Sequence, residues 1–158
     1  MNINLTHRKA TINDLGVIVN LLLEDELGKT RESTNSTLDQ RYIDAFHRID
    51  ADQNHYLMIV ENDEEIVGTS HLTIMPSLSF SGQTRMQIEA VRVLEKYRGQ
   101  KMGEWMMKAA ISYGKAKGAS IMQLTTNKKR VKARNFYEHI GFEASHEGMK
   151  MYLDASFE

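Results

Sequence analysis

Segments with the two-residue period of strands alternate along this chain with segments of helical period, and together they predict an α/β fold with a mixed sheet. Two runs rich in β-branched and apolar residues, 55–60 and 65–75, are separated only by "ENDE", which is turn chemistry and makes an antiparallel hairpin. A further strand-like run, 85–93, is followed by a helical repeat and then by "SIMQLTT". A strand, helix, strand crossover of this kind joins parallel strands. The order β-α-α-β-β-β-α-β-α-β-β gives about six to seven strands flanked by about four helices.

Taken in order, residues 4–10 alternate and lead into "TINDLGVIVNLLLEDEL". Thr11 caps a helix there, and Asp14, three residues on, suits the positive end of its dipole. The polar stretch 29–37 has no periodicity and carries the chain into a second helix around 38–49. After the hairpin, Pro76 with Ser77, Ser79, Ser81 and Gly82 ends a strand and opens a loop before the central strand "RMQIEAVRV". Met102, Trp105, Met106, Ala109, Ala110, Tyr113 and Ala116 recur at helical spacing, and Gly118 stops that helix. "RVKARNFYEHI" reads as a helix ending at Gly141, and 142–153 as two short strands around 146–148.

Composition narrows the class. With 158 residues and no linker or repeat, a single domain over 1–158 is expected. The longest apolar stretch, 17–23, is broken by Asn20 and falls short of the roughly 20 residues that span a bilayer, so no membrane partner is expected. The first residues lack the marks of a targeting segment, which points to the cytoplasm. The absence of cysteine removes disulfides, thiolate metal sites and an acyl-cysteine intermediate. A net charge of -1 gives no general positive field, so nucleic acid is not an expected partner. "HEGMK" at His146 departs from the zinc pattern H-E-x-x-H because Lys150 stands in the second histidine's place, and no metal is expected.

The chemistry gathers in "IEAVRVLEKYRGQKMGEWMMKAA", where a strand passes through a short loop, Arg98 to Gly103, into a helix. A helix start offers unpaired N–H groups and partial positive charge, and glycine lets an anion approach the main chain. Neither G-x-x-x-x-G-K-[ST] nor G-x-G-x-x-G occurs, which disfavours the commoner nucleotide loops. The segment resembles the GNAT superfamily of N-acetyltransferases, whose pyrophosphate loop reads [QR]-x-x-G-x-[GA]. Arg98 and Gly103 match its ends, while the usual internal glycine is replaced by Lys101. A second element, "NFYEHIGF", resembles the family's F-Y-x-x-x-G-F at Phe136, Tyr137, Gly141 and Phe142.

This resemblance implies a GNAT fold and acetyl-CoA as co-substrate, without a metal. The cofactor-binding residues it implies are Val91, Val93, Arg98, Gly99, Gln100, Lys101, Met102, Gly103, Arg130 and Phe136. Val91 and Val93 would pair with pantetheine through their main chains, and a backbone N–H there would stabilise an oxyanion. Tyr137 is the implied acid for the departing thiolate, although base rates alone make such a residue a core-edge tyrosine. An alkyl ammonium, with a pKa near ~10.4, must lose a proton before attack, and Glu89 is the candidate base. Glu89 is equally readable as a structural carboxylate paired with Arg85 or Arg92. The expected reaction moves an acetyl group directly to a primary amine of a small molecule. The alternatives are a protein or peptide amino group as acceptor, or a noncatalytic acyl-CoA sensor. Glu24, Asp25, Glu26 and Glu32 hint at a cationic acceptor, and the resemblance is compatible with a homodimer.

Overall fold

The computed structural model describes residues 4–24, 38–63 and 65–153, which form two compact units, one up to Gln123 and one from Leu124. The polar connection 29–37 lies outside the described residues, as do Asp25, Glu26 and Glu32.

In the first unit β1 (Thr6–Lys9) leads through a short 3-10 turn into α1 (Leu15–Leu23). Asp14 fixes this corner. Its carboxylate accepts the Thr11 N–H at 2.7 Å and the Thr11 hydroxyl at 3.0 Å, and it takes Arg8 through both terminal guanidinium nitrogens, at 2.7 and 2.9 Å. These bonds hold the buried Asp14 carboxyl at a pKa of about 2, the Arg8 hydrogen bond being the largest cause.

Then follow α2 (Gln40–Ala51), capped by the Asp39 side chain, and the hairpin of β2 (His55–Glu61) and β3 (Ile66–Met75). The loop opened by Pro76 contains a four-residue helical turn, α3 (Ser79–Gly82), before β4 (Thr84–Val93), α4 (Met102–Ala116) and β5 (Ala119–Leu124). The five strands lie in sequence order, and β1 to β4 are antiparallel neighbours. The Ser120 hydroxyl reaches Thr84 O, and the Gln123 amide reaches Gln87 Oε1. A constant offset of this kind makes β5 parallel to β4, so the sheet is mixed.

Each face of the sheet has its own core. Leu57 and Ile59 pack against Leu15, Ile18, Val19 and Phe46 of α1 and α2. Met58, Val60 and Val67 pack against Met106 of α4. Gly68 lets α4 approach the sheet, because a Cβ there would lie 2.7 Å from Arg92 O and 2.8 Å from Met106 Sδ.

The second unit contains α5 (Val131–His139). The two short strands expected within 142–153 are not formed. Met149, Met151 and Leu153 keep a strand's alternation but are 94%, 84% and 94% exposed. A strand is stable only against a neighbour, and the described residues of the second unit form no strand beyond the end of β5. The described fold therefore has five strands rather than six to seven, and five helices counting the turn α3.

Two stability predictions follow from these contacts. Gly68→Ala must push a main-chain carbonyl and should cost about 2–3 kcal/mol. Gly114→Ala meets only the flexible ends of Met86 and Met122 and recovers helix propensity, so it should cost under about 1 kcal/mol; urea midpoints compare the two. Because the folded pKa of Asp14 is depressed, its contribution is complete above pH 4 and is lost as pH falls from about 4 to about 2. Asp14→Asn should remove about 1–2 kcal/mol at pH 7, and the difference from the parent should shrink across that acid window.

Candidate active site

β4 carries one residue more than β3 at its centre. Thr69 pairs with Arg92 and His71 with Glu89, so both Ala90 and Val91 stand opposite Ser70. Ala90 absorbs the extra residue at a positive φ of 51°, the mark of a β-bulge. The bulge reverses which residues face which side. Met86 and Ile88 are buried, with Met86 beneath α4, and Glu89 lies on the opposite face with its ladder partner His71. Past Ala90, Val91 and Val93 pack on the α4 side.

The bulge also determines what the strand offers at its outer edge. The Leu94 N–H bonds to Val67 O on β3, so by strand alternation the main-chain groups of Val91 and Val93 face the other way. On that side β5 ends at Leu124, and the offset set by Gln87 and Gln123 carries it only as far as Ile88. Val91 and Val93 therefore lie past the end of the neighbouring strand. Their carbonyls accept from the Arg92 side chain (2.9 Å) and from Arg98 Nε (3.0 Å).

From Val93 the chain runs through a 3-10 turn, Glu95–Tyr97, into the loop 98–101. Gly99 has a φ of 77° and Lys101 a φ of 62°, so two residues in the left-handed region aim the chain into α4. Left-handed backbone favours glycine, which accounts physically for a glycine at the position Lys101 holds. The first α4 amide taken within the helix is Trp105 N, by Lys101 O. The N–H groups of Met102, Gly103 and Glu104 thus lie at the open end of the helix. Arg98 is anchored by Glu24, whose Oε2 lies 3.4 Å from its Nη2 and also accepts the Glu95 N–H. The Glu24 carboxylate, expected as part of an acidic acceptor site, thus serves this loop. Gln100 bonds to Lys96 O.

Sequence reasoning missed a polar cluster beside Glu89. His71 Nε2 lies 2.8 Å from His55 Nδ1, and Thr73 Oγ1 lies 3.3 Å from that same nitrogen. On its far side His55 Nε2 lies 3.7 Å from Asp52 Oδ2. Burial first, and then the neighbouring His55, lowers the His71 pKa to about 4, so its imidazole is neutral at neutral pH. The signal available in sequence was the placement of His55 and His71 in the two arms of the hairpin.

In the second unit, Tyr137 is half-buried, with its ring edge-on to Phe136 at 5.3 Å and to Phe142 at 5.9 Å. Gly141, at a φ of 102°, turns the chain so that Phe142 N–H bonds to Tyr137 O and Gly141 N–H to Glu138 O. These two bonds with the Phe142 to Tyr137 contact are a Schellman ending, which explains the F-Y-x-x-x-G-F spacing. Arg130 lies at the start of α5, and Arg134 is engaged with Glu138 at 2.9 Å. Glu89, Val91, Val93 and the loop 98–103 are thus brought together in the first unit, while Arg130, Phe136 and Tyr137 are grouped in the second. A surface concavity lined by Thr6, Glu61, Asn62, Asp63, Glu65 and Ile66 includes none of these residues. Among the described residues no three His, Asp or Glu side chains gather as metal ligands, and no helix is long and apolar enough to cross a membrane.

Replacing Gly141 by Ala should lower stability by about 1 kcal/mol, because an L-residue there must be left-handed. Lys101→Gly should leave stability unchanged or raise it by up to about 1 kcal/mol for the converse reason. Denaturant midpoints of the two variants test this difference in sign.

Residues 19–142 match the model of the acetyltransferase (GNAT) family. The chain is 32% identical over 108 residues to the aminoalkylphosphonate N-acetyltransferase of Salmonella typhimurium, covering 68% of this chain and 69% of that protein. Among solved structures it is similar to a transcriptional regulator from Bacillus halodurans, at 42% identity and a TM-score of 0.91, over 95% of this chain and 100% of that one. A predicted acetyltransferase from Clostridium acetobutylicum, solved with acetyl-CoA, shares the fold at a TM-score of 0.74 and 18% identity, over 95% of this chain and 97% of that one. With a loop and bulged strand of this geometry and a family match over most of its length, the chain belongs to the acetyltransferase (GNAT) family and is an acyltransferase.

Proposed function

We propose that the protein transfers an acetyl group from acetyl-CoA directly to a primary amine of a small molecule, working as one domain. The observation that carries this is the juxtaposition in the first unit of two features: the outward main chain of Val91 and Val93, past the end of β5, and the open amino end of α4. An extended pantetheine arm carries amides that can pair with Val91 and Val93 as an added strand would. The diphosphate would meet Gly99, Gln100, Lys101, Met102 and Gly103, where N–H groups and the helix dipole favour negative charge, with Arg98 shaping the loop. Arg130 and Phe136 would complete the contacts to the coenzyme.

In this assignment Glu89 takes the proton of the acceptor ammonium, directly or through water. A Val91 or Val93 N–H stabilises the oxyanion of the tetrahedral intermediate, and Tyr137 gives its proton to the leaving thiolate. The amine nitrogen first forms its bond to the acetyl carbon, giving that intermediate, and the carbon–sulfur bond breaks as the intermediate collapses. The substrate named for the Salmonella relative, an aminoalkylphosphonate, supports a small amine as acceptor. A noncatalytic sensor using the same groove is the competing role, favoured by the regulator name of the 42%-identical structure.

Release of coenzyme A with a panel of small amines and peptides separates these cases. Turnover of small amines is expected; tight binding of acetyl-CoA without release on any amine would favour the sensor, and turnover of peptides alone would favour a protein acceptor. Tyr137→Phe should lower kcat by about 10²-fold while acetyl-CoA affinity by calorimetry stays nearly intact.

A further inference from the structure

Arg85, Gln87 and Glu89 recur at the two-residue period of β4 and lie on the face opposite α4, because Met86 and Ile88 between them are the buried set. Their ladder partners on β3 are Met75, Thr73 and His71. The two ends of this line carry opposite charges. Glu89 is exposed, and among the described residues its carboxylate makes neither a hydrogen bond nor an ion pair. Arg85 is half-buried, and among the described residues it too has no carboxylate partner. Its side chain makes one long bond, from Nη2 to the Ser77 hydroxyl at 3.5 Å, and its Nε is buried with no acceptor. Burying a guanidinium N–H without a partner costs free energy, so such a donor is uncommon in a folded protein. The ion pair of Glu89 with Arg85, one reading of the sequence, is not formed: Cα atoms four residues apart along a strand are separated by about 13 Å. Between the two charges, Gln87 is bonded to Gln123 at 2.8 Å, and the adjoining His71 is neutral at neutral pH.

We propose that the acceptor is a zwitterion, an amine with an acidic group at its far end, and that Arg85 receives that acidic group. This rests on Glu89 facing the acceptor's amine, as proposed above. The coenzyme arm in that reading lies along β4 past the bulge, at Val91 and Val93, so an acceptor at Glu89 extends the other way, over Gln87 towards Arg85. Its ammonium end meets the Glu89 carboxylate, and its acidic end meets the Arg85 guanidinium, whose fork of N–H donors suits a carboxylate or a phosphonate. The separation of Arg85 from Glu89 along the strand selects a chain with several bonds between its two charges, not an α-amino acid. Arg85 is thus a specificity residue: it holds the end of the acceptor remote from the reacting nitrogen and takes no part in the bond changes.

Matched amines test this on the full chain, first without any substitution. The set is ω-amino acids and ω-aminoalkylphosphonates of rising chain length, each against the alkylamine that lacks the acidic group. With acetyl-CoA, kcat/KM should favour the acid-bearing member ~10- to 100-fold at the best length, and the two series show whether carboxylate or phosphonate fits. A parent indifferent to the acidic group, or one that prefers the bare amines, overturns the assignment while leaving acetyl transfer standing. Arg85→Gln should abolish the preference, and Arg85→Lys, which keeps the charge but loses the fork, should reduce it less. An Arg85→Gln protein with an unaltered melting curve that keeps the preference overturns the assignment, and so does an equal loss on both members of every pair, which marks Arg85 as structural. Calorimetry of the same pairs on the protein loaded with coenzyme A needs no turnover. Binding of the acid-bearing amine that weakens in Arg85→Gln, with no turnover of any amine by the parent, overturns acetyl transfer and leaves the Arg85 site standing; absence of both binding and turnover overturns both.

Discussion

A single extra residue in β4, taken up at Ala90 in left-handed backbone, organises the rest of the site. Regular pairing on both sides holds it there: His71 with Glu89 and Leu72 with Ile88 before it, Thr69 with Arg92 and Gly68 with Val93 after it. Because side chains alternate with period two, one inserted residue moves everything beyond it to the other face. Glu89 stays on the side of α1 and α2, and Val91 and Val93 enter the core under α4. In an unbulged strand the three would share one face, and a carboxylate would compete with two valines for the same environment. The bulge resolves that conflict.

Two helix ends, one in each unit, depend on similar local exceptions. Lys101 and Gly141 both adopt positive φ, one at the start of α4 and one just past the end of α5. At Gly141 the missing Cβ makes that conformation inexpensive, and the reversal brings Phe142 back onto Tyr137. At Lys101 the side chain makes it costly. The loop is held by bonds outside the helix, from Arg98 to Val93 O and Glu24, and from Gln100 to Lys96 O. The face of the sheet that carries Glu89 is organised differently. There His71 is kept neutral by burial, with its Nε2 2.8 Å from His55 Nδ1.

Much of the architecture was legible because it is written in short-range pattern. The span of α4 follows from the spacing of its apolar residues and from Gly118, the hairpin from its turn, and the N-terminal corner from Thr11 and Asp14. The resemblance to the family was carried by local motifs, Arg98 to Gly103 and Phe136 to Phe142, whose spacing reflects loop and helix-end geometry. Even the bulge left a trace, since the buried set Met86 and Ile88 resumes at Val91 and Val93, out of phase by one. The segment 142–153 shows the limit of pattern. Met149, Met151 and Leu153 alternate as a strand would, yet alternation says only which side a strand would bury and not whether a neighbour is present.

By itself, the sequence determined the class of fold, the order of its elements as far as α5, the loop from Arg98 to Gly103 and the family, because each depends on residues close together in the chain. Tertiary structure alone decided the face on which Glu89 lies, the outward turn of the Val91 and Val93 main chain, the use of Glu24 as an anchor for Arg98, and the meeting of His55 with His71. Those outcomes depend on strand register and on which helix covers which face, and a shift of one residue in a ladder would reverse the face on which Glu89 lies.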